Sequence, residues 1–212
     1  MEVVENKISI HPFEPFIPNN ATKLIIGTIP PYRFCKQEGV EPNLSSDDVN
    51  FYYGSHDNSF WELVYASSCG KTEELIKENS KEAVDQRKAL LEKMGIGITD
   101  IVEQCYHKDQ KSDDKSLMNI KQKDIRKLLS ENEKIDTLIY TSDFVKSQMN
   151  AICDDGYHSS VDKKNRIWSV RINGKKYRVV ILYSPSPNAL RRINAETRQR
   201  QYDGVFGKNN SL

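Results

Sequence analysis

Short apolar segments alternate with longer polar segments along this chain, and the alternation predicts strands between helices. Three apolar runs have the length of buried strands: residues 23–29 (KLIIGTI), 96–102 (IGITDIV) and 137–141 (TLIYT). Apolar residues at helical spacing predict helices over residues 81–94, 121–129 and 144–152. Strands that alternate with helices in this way indicate an α/β domain with a mostly parallel sheet covered on both faces.

The C-terminal third carries a hairpin followed by a stiff loop. Asn173-Gly174 separates two strand-like segments, residues 167–172 and 176–183, and favours a type I′ turn. Residues 179–182 are continuously apolar, which places the second arm in the interior of the sheet. The chain then runs through the proline-rich segment 184–188 (SPSPN) into a predicted basic helix.

Two loops are long or stiff enough to hold a functional site. In parallel sheets, ligands bind at the carboxyl ends of the strands, where the loops after the strands meet. Residues 30–58 follow the first strand and residues 184–188 follow the last, so both are expected at that edge. We therefore expect one domain over residues 1–212, with an N-terminal extension at 1–20 and a flexible tail at 204–212.

Composition excludes several classes of function. The 31 basic and 30 acidic side chains leave a net charge of +1, so any contact with nucleic acid must come from a local patch. No run of 18 apolar residues is present, so no membrane is expected as a partner. The N-terminal segment carries Glu2 and Glu5, unlike the basic start of a signal peptide, and a cytoplasmic location is expected.

The cysteines and histidines are too scattered for a metal site. No CxxC is present among Cys35, Cys69, Cys105 and Cys153, and the histidines His11, His56, His107 and His158 are equally dispersed. We expect no metal, no cofactor, and four free thiols that are mostly buried.

The aromatic segment at residues 52–61 offers flat faces on which a heterocycle can stack. Each residue also has a purely structural interpretation. Phe60 and Trp61 fit the core of the helix that they begin, and Asn58 fits the N-cap of that helix. Likewise, residues 184–188 could be only a stiff turn, and the arginines after them either a solvated face or a phosphate-binding patch.

Four stretches together resemble the uracil-DNA glycosylase superfamily, and within it the hypoxanthine/uracil (deoxyinosine) glycosylase branch. They are residues 24–31 (LIIGTIPP), similar to the first-strand motif G-[ST]-x-P-G; 52–61 (YYGSHDNSFW), similar to the branch's YY…NxFW motif; 95–105 (GIGITDIVEQC), similar to its strand motif; and 182–189 (LYSPSPNA), similar to the second catalytic motif. The resemblance spans most of the chain. It implies a three-layer α/β/α fold with a central, mostly parallel four-stranded sheet.

The resemblance also implies an activity and a set of site residues. The implied protein is a monomeric base-excision repair enzyme, a monofunctional glycosylase that flips uracil or hypoxanthine out of DNA and hydrolyses its N-glycosidic bond. The implied catalytic residues are Asn58, which orients water or the base edge, Ser184, which donates to the base, and Asp57, a base if it points inward. The implied substrate contacts are Gly27, Thr28, Ile29, Pro30, Tyr53 as the stacking residue, and Phe60. The implied DNA contacts are the wedge Pro185, Ser186, Pro187 and Asn188, and the phosphate-binding Arg191 and Arg192.

The chain departs from the family pattern at several positions. Ile29 stands where relatives carry an asparagine or an acid, Pro31 replaces a glycine, and residues 32–50 form a long acidic insert. Two other functions therefore remain open: a catalytically inactive relative that binds a nucleobase, nucleic acid or protein, and an enzyme of free nucleosides or nucleotides. We favour the DNA glycosylase. The side chain of Asn58 discriminates, since an open pocket beside Tyr53 favours catalysis and a helix cap favours the binding module.

Overall fold

The computed structural model describes residues 7–190 and 193–207. The described strands are β1 (Ile8–Ile10), β2 (Lys23–Gly27), β3 (Ile96–Asp100), β4 (Val102–His107), β5 (Leu117–Gln122), β6 (Thr137–Tyr140), β7 (Ser159–Asp162), β8 (Ile167–Ile172) and β9 (Lys175–Ile181). The described helices are α1 (Phe60–Ser68), α2 (Lys81–Met94), α3 (Ile125–Glu131), α4 (Asp143–Met149), α5 (Pro187–Leu190) and α6 (Ala195–Phe206). Short 3-10 turns lie in several of the connections.

The central sheet has six strands in the order β3-β2-β6-β9-β8-β7. The first four are parallel to one another, β8 is antiparallel to β9, and β7 is antiparallel to β8. This confirms the mostly parallel sheet and corrects the expected number of four strands. The reason is the hairpin at Asn173-Gly174: both residues have positive φ, as a type I′ turn requires, and the hairpin pairs β8 with β9 inside the same sheet.

Each face of the sheet is covered, because side chains alternate along its strands. On one face of the sheet, Ile25 belongs to a buried cluster that includes residues of α1, α2 and α6. Leu24 and Ile26 face the other way and pack against α3 and α4. The result is a three-layer α/β/α arrangement.

A second, three-stranded antiparallel sheet has the order β1-β4-β5. Two segments that the sequence assigned otherwise contribute strands to it. The predicted N-terminal extension contributes β1, whose residues pair with β4 from Ile8 to Ile10. The first residues of the predicted helix 121–129 lie in β5, and α3 begins only after Asp124, whose side chain accepts a hydrogen bond from the Lys127 backbone.

The first residues of the expected C-terminal tail, 204–206, belong to helix α6. Helix α6 runs to Phe206, and both Val205 and Phe206 are buried against α1. Residues 208–212 lie outside the described residues.

Within the described residues, none of the helices is long and apolar enough to cross a membrane. The same residues contain no group of three or more His, Cys, Asp or Glu side chains arranged to hold a metal ion. The four cysteines are free, and Cys35, Cys105 and Cys153 are buried.

Candidate functional site

The carboxyl edge of the parallel strands brings the two predicted loops into contact. Ser59, at the end of the long loop after β2, donates from its backbone N (3.2 Å) and from its hydroxyl (3.0 Å) to the carbonyl oxygen of Pro185. Pro185 belongs to the loop after β9, the strand two places from β2 in the sheet. The two loops therefore form one surface, as the sequence predicts.

Tyr53 stands at the centre of this edge in an uncommon backbone conformation. Its φ is +54°, a left-handed value that is rare for a bulky side chain. The ring stacks on Phe60 with centroids 4.2 Å apart, and the hydroxyl donates to Thr141 Oγ1 at 2.9 Å. Burial, followed by the charge of Asp100, raises the pKa of Tyr53 far above its usual value, so the hydroxyl stays protonated. A strained residue held at both ends of its side chain is typical of a functional position.

Gly27 ends β2 directly beneath Tyr53. A β-carbon at residue 27 would lie 2.1 Å from Tyr53 Oη and 2.1 Å from Asp100 Oδ1. Only glycine leaves room for these two polar groups on the same side of the strand. The tyrosine, the glycine and the aspartate therefore form one packed unit at the end of the sheet.

Asp100 is held by a second layer of polar groups. Its Oδ2 accepts a hydrogen bond from His11 Nε2 at 2.8 Å, and both side chains are buried. His11 Nδ1 lies 3.2 Å from Lys123 Nζ, whose pKa is lowered by burial. The negative charge of Asp100 therefore has two basic side chains close behind it, on the side away from Tyr53.

A further carboxylate, Asp114, lies half-buried in the connection between β4 and β5. Burial, followed by the charges of Asp113 and Asp100, raises its pKa, and Thr28 and Ser142 act in the opposite direction. The sequence carries no motif that singles out Asp114, His11 or Lys123, since all three come from segments distant from the two predicted loops.

Asn58 directly precedes Ser59, the N-cap residue of α1. Its Oδ1 accepts a hydrogen bond from the backbone N of Phe60 at 2.9 Å, at the start of α1. This bond fits the structural interpretation of Asn58 as part of the helix start, and its expected role in orienting water or the base stays a prediction. Asp57 does not point inward: its side chain is half exposed and lies 3.5 Å from Arg33 and 3.3 Å from His56.

The expected substrate contacts divide into exposed and buried groups. Phe60 is fully buried in the core, where its ring stacks on Tyr53, and its expected contact with substrate stays a prediction. Ile29 packs against the core on the α3–α4 face, and Pro30 is buried. Thr28, directly after β2, is half-buried.

The loop after β9 is folded back on itself. The Ser184 hydroxyl bonds with the Ser186 hydroxyl at 3.1 Å and accepts from the Ser186 backbone N at 3.3 Å. Pro185 is buried, whereas Pro187 is exposed and begins α5 together with Asn188. The DNA wedge expected of residues 185–188 stays a prediction. Arg191 and Arg192 lie outside the described residues.

The long loop after β2 is organised around a buried acid. Both carboxylate oxygens of Asp48 accept from the Arg33 guanidinium at 2.8 Å, and the backbone N atoms of Ser45 and His56 add bonds of 3.0 Å each. The Asp48 side chain is 0% exposed. The Asp48 carboxylate is thus fully paired within the loop, so this acid of the insert does not face a DNA phosphate.

A groove of about 590 Å³ lies elsewhere, between α1, α6 and the 3-10 turn Thr72–Glu74. Its lining includes Glu62, Leu63, Leu75, Lys77 and Gln199. Tyr53, Gly27 and Asp100 do not line it, so this groove is not the base pocket that the sequence predicts.

Comparison with known proteins supports the fold. No family model matches the chain, and no curated protein matches it. Among solved structures, the chain is similar to the solution NMR structure of a protein from Methanosarcina acetivorans that is proposed to be a uracil DNA glycosylase, with a TM-score of 0.56 and 18% identity. The match covers 94% of this chain and 96% of that one, so the whole domain has the uracil-DNA glycosylase-like fold.

Proposed function

We propose that this protein is a DNA glycosylase that hydrolyses the N-glycosidic bond of a deaminated base, uracil or hypoxanthine, after the base has been flipped out of DNA. The observation that carries the proposal is the assembly at the carboxyl edge: the strained Tyr53 over Gly27, with the carboxylate of Asp100 beside it. The uracil-DNA glycosylase-like fold supports the same assignment.

The chemistry of the reaction matches this assembly. A base inside a duplex is inaccessible, so the enzyme must extrude it and hold it against a flat side chain. One face of Tyr53 is fixed by Phe60, which leaves the ring rigid enough to serve as such a platform. As the glycosidic bond breaks, positive charge develops on the sugar, and nearby carboxylates lower the energy of that state.

A non-catalytic binding module is the second candidate, and the capping bond of Asn58 favours it. With the Asn58 oxygen bound to the Phe60 backbone, and Asp57 directed toward Arg33, neither residue is placed to activate water. Such a module would bind damaged or single-stranded DNA without releasing a base. It would show salt-dependent affinity with no product.

The test is an excision assay on single- and double-stranded oligonucleotides that contain uracil, hypoxanthine or xanthine. We expect the wild type to release a free base and leave an abasic site, and Tyr53→Ala to lose at least about 10²-fold in rate. Tyr157→Ala is the matched control, since Tyr157 is 60% exposed on the connection between α4 and β7. DNA binding with no release from any substrate would assign the protein to the binding-module alternative.

A further inference from the structure

The turn between β7 and β8 brings basic side chains to the carboxyl edge of the central sheet. Asp162, the last residue of β7, pairs with Ile167, and Ile167 pairs with Val180, one residue before the end of β9. The turn itself, residues 163–166, has the sequence KKNR. It therefore lies beside the end of β9, from which the chain continues into the loop at residues 184–188.

Arg166 joins this turn to the functional edge. Its Nε donates to the carbonyl oxygen of Ile181 at 2.9 Å, and a terminal guanidinium nitrogen donates to Asp143 Oδ1 at 3.0 Å. The guanidinium also lies 5.0 Å from the ring centre of Tyr183, the residue directly before Ser184. The φ of Arg166 is +57°, a left-handed value at which glycine is the usual residue. These contacts hold an arginine there and fix the position of the turn.

The same contacts connect the turn to the aromatic site. Asp143 begins α4 two residues after Thr141, and Thr141 accepts the hydrogen bond of the Tyr53 hydroxyl. Neighbouring strands lie about 4.8 Å apart, so β8, three strands from β2 in the sheet, is roughly 14 Å from it. Each strand of a DNA duplex carries one phosphate per about 3.4 Å of its axis, so this distance corresponds to about four nucleotides.

The exposed side chains of the turn carry positive charge. Lys163 and Lys164 are both exposed. The nearest acid in the chain, Asp162, is bonded within the turn, because its carboxylate oxygens accept from the backbone N of Asn165 at 3.1 Å and from the side-chain amide of Asn165 at 2.7 Å. The turn therefore presents two lysines on a backbone whose own acid is already hydrogen-bonded, which is an arrangement suited to an anionic partner.

We propose that residues 163–166 form a second DNA contact, in which Lys163 and Lys164 bind backbone phosphates about four nucleotides from the extruded base; the inference rests on the proposed glycosylase function. Lysine binds phosphate as a point charge and contacts no base edge here, so the contact is independent of sequence. Arg166 is a positioning residue. The chain has a net charge of only +1, and this turn supplies the local patch that its composition requires for binding DNA.

The first test measures the affinity for duplex DNA that carries a tetrahydrofuran abasic analogue. The double variant Lys163→Ala/Lys164→Ala is compared with Lys134→Ala/Lys176→Ala, which removes two exposed lysines from the opposite, amino edge of the sheet. We expect the first variant to lose about 10-fold or more in affinity and to lower the slope of log affinity against log salt by about 2. The control should stay within about 3-fold of the wild type, with an unchanged slope. Thermal unfolding checks that both variants are folded.

The position of the analogue in the duplex provides a second test. In a duplex of about 16 base pairs, the analogue is placed at the centre or about two base pairs from either end, so that phosphates on one side no longer reach the turn. We expect the wild type to lose affinity for one of the end placements. The Lys163→Ala/Lys164→Ala variant should bind that placement and the central one equally, because it has no contact left to lose.

The outcomes separate this inference from the proposed function. If the wild type excises a base and Lys163→Ala/Lys164→Ala binds with the affinity and salt slope of the wild type, the inference fails and the proposed function stands. Binding that depends on the two lysines, with no excision of any base, supports the contact and overturns the excision. A wild type that does not bind the duplex overturns both.

Discussion

The hydroxyl of Tyr53 occupies the space in which a β-carbon of residue 27 would lie. The separation from such a carbon would be 2.1 Å, and Asp100 Oδ1 would be equally close. The end of β2 and the aromatic loop are thus fitted to each other, although twenty-five residues separate them in the chain.

Gly27→Ala is expected to disrupt the site. The added methyl group must displace Tyr53 or Asp100, which we expect to lower the free energy of unfolding by about 3 kcal/mol and to abolish excision. Gly97→Ala, on the neighbouring strand β3, is the matched control, because its nearest contacts at 3.2 Å are side-chain carbons of Ile17 and Leu24. Urea unfolding and the excision assay measure both. Full activity in Gly27→Ala would show that the packed unit is not required.

The bond between Tyr53 and Thr141 is expected to show coupling in a double-mutant cycle. Tyr53→Phe leaves Thr141 without its donor, and Thr141→Val leaves the tyrosine hydroxyl without its acceptor, each at a cost of about 1 kcal/mol. The double variant removes both polar groups, so its loss should be smaller than the two single losses together by about 1 kcal/mol. Urea unfolding of the four proteins gives the coupling energy. Strict additivity would mean that the bond does not contribute.

Asn58 is expected to tolerate aspartate better than alanine. Aspartate caps a helix as well as asparagine does, whereas Asn58→Ala should lower the free energy of unfolding by about 1 kcal/mol. If capping is the role of Asn58, Asn58→Asp keeps its excision rate within about 3-fold of the wild type. A folded Asn58→Asp protein that has lost excision would instead assign the amide a part in catalysis.

Asp48 is expected to stabilise the conformation of the long loop after β2. Burial raises the pKa of Asp48, but hydrogen bonds from Arg33, Ser45 and His56 together lower it by more than burial raises it. The net pKa therefore lies well below its usual value. The stabilisation is therefore present above the ordinary carboxyl pKa and is lost as the pH falls through the lower, folded-state pKa. Asp48→Asn should cost about 3 kcal/mol and raise the rate of proteolysis within the loop. Asp47→Asn, at the exposed neighbour, is the control and should change neither.

Two buried histidines are expected to make the protein less stable in mild acid. Burial lowers the pKa of His107 and of His158 to about 4 each, from an ordinary value of 6.5. Between pH 4 and pH 6.5 the unfolded chain binds more protons than the folded protein does. The contribution of the two neutral histidines to the free energy of unfolding is therefore fully present above pH 6.5 and is lost as the pH falls toward 4. After allowance for solvent screening, we expect about 1–2 kcal/mol for each histidine. Urea unfolding from pH 4 to 7 measures the slope, which His158→Asn should reduce; an unchanged slope would contradict the assignment.

The local sequence pattern determined most of the helices and the parallel strands. Helix α2 has the predicted bounds because Ser80 caps its start and Gly95 ends it with a φ of +63°. The type I′ hairpin followed from Asn173-Gly174 in the same way. These features depend on residues within a few positions of one another, so the sequence alone is sufficient to predict them.

The small sheet was not predictable from periodicity. Half of the residues in strand β5 are polar and half are exposed, and its last residues precede α3 closely. The helical spacing of Ile125 and Leu129 therefore extended the predicted helix into the strand. Strand β1 has three residues and gains its stability only by pairing with β4, some ninety residues away. Pairing of this kind overrides local propensity.

The sequence by itself determined which loops meet at the carboxyl edge. The reason is that all loops that follow the strands of a parallel sheet lie at the same edge. Only the tertiary structure decided the role of each side chain there. Asn58 is hydrogen-bonded to the start of α1, Asp57 lies beside Arg33, and His11 reaches Asp100 from a separate segment. The physical reason is that a side chain takes the partners nearest in space, and those partners come from segments that the chain brings together only on folding.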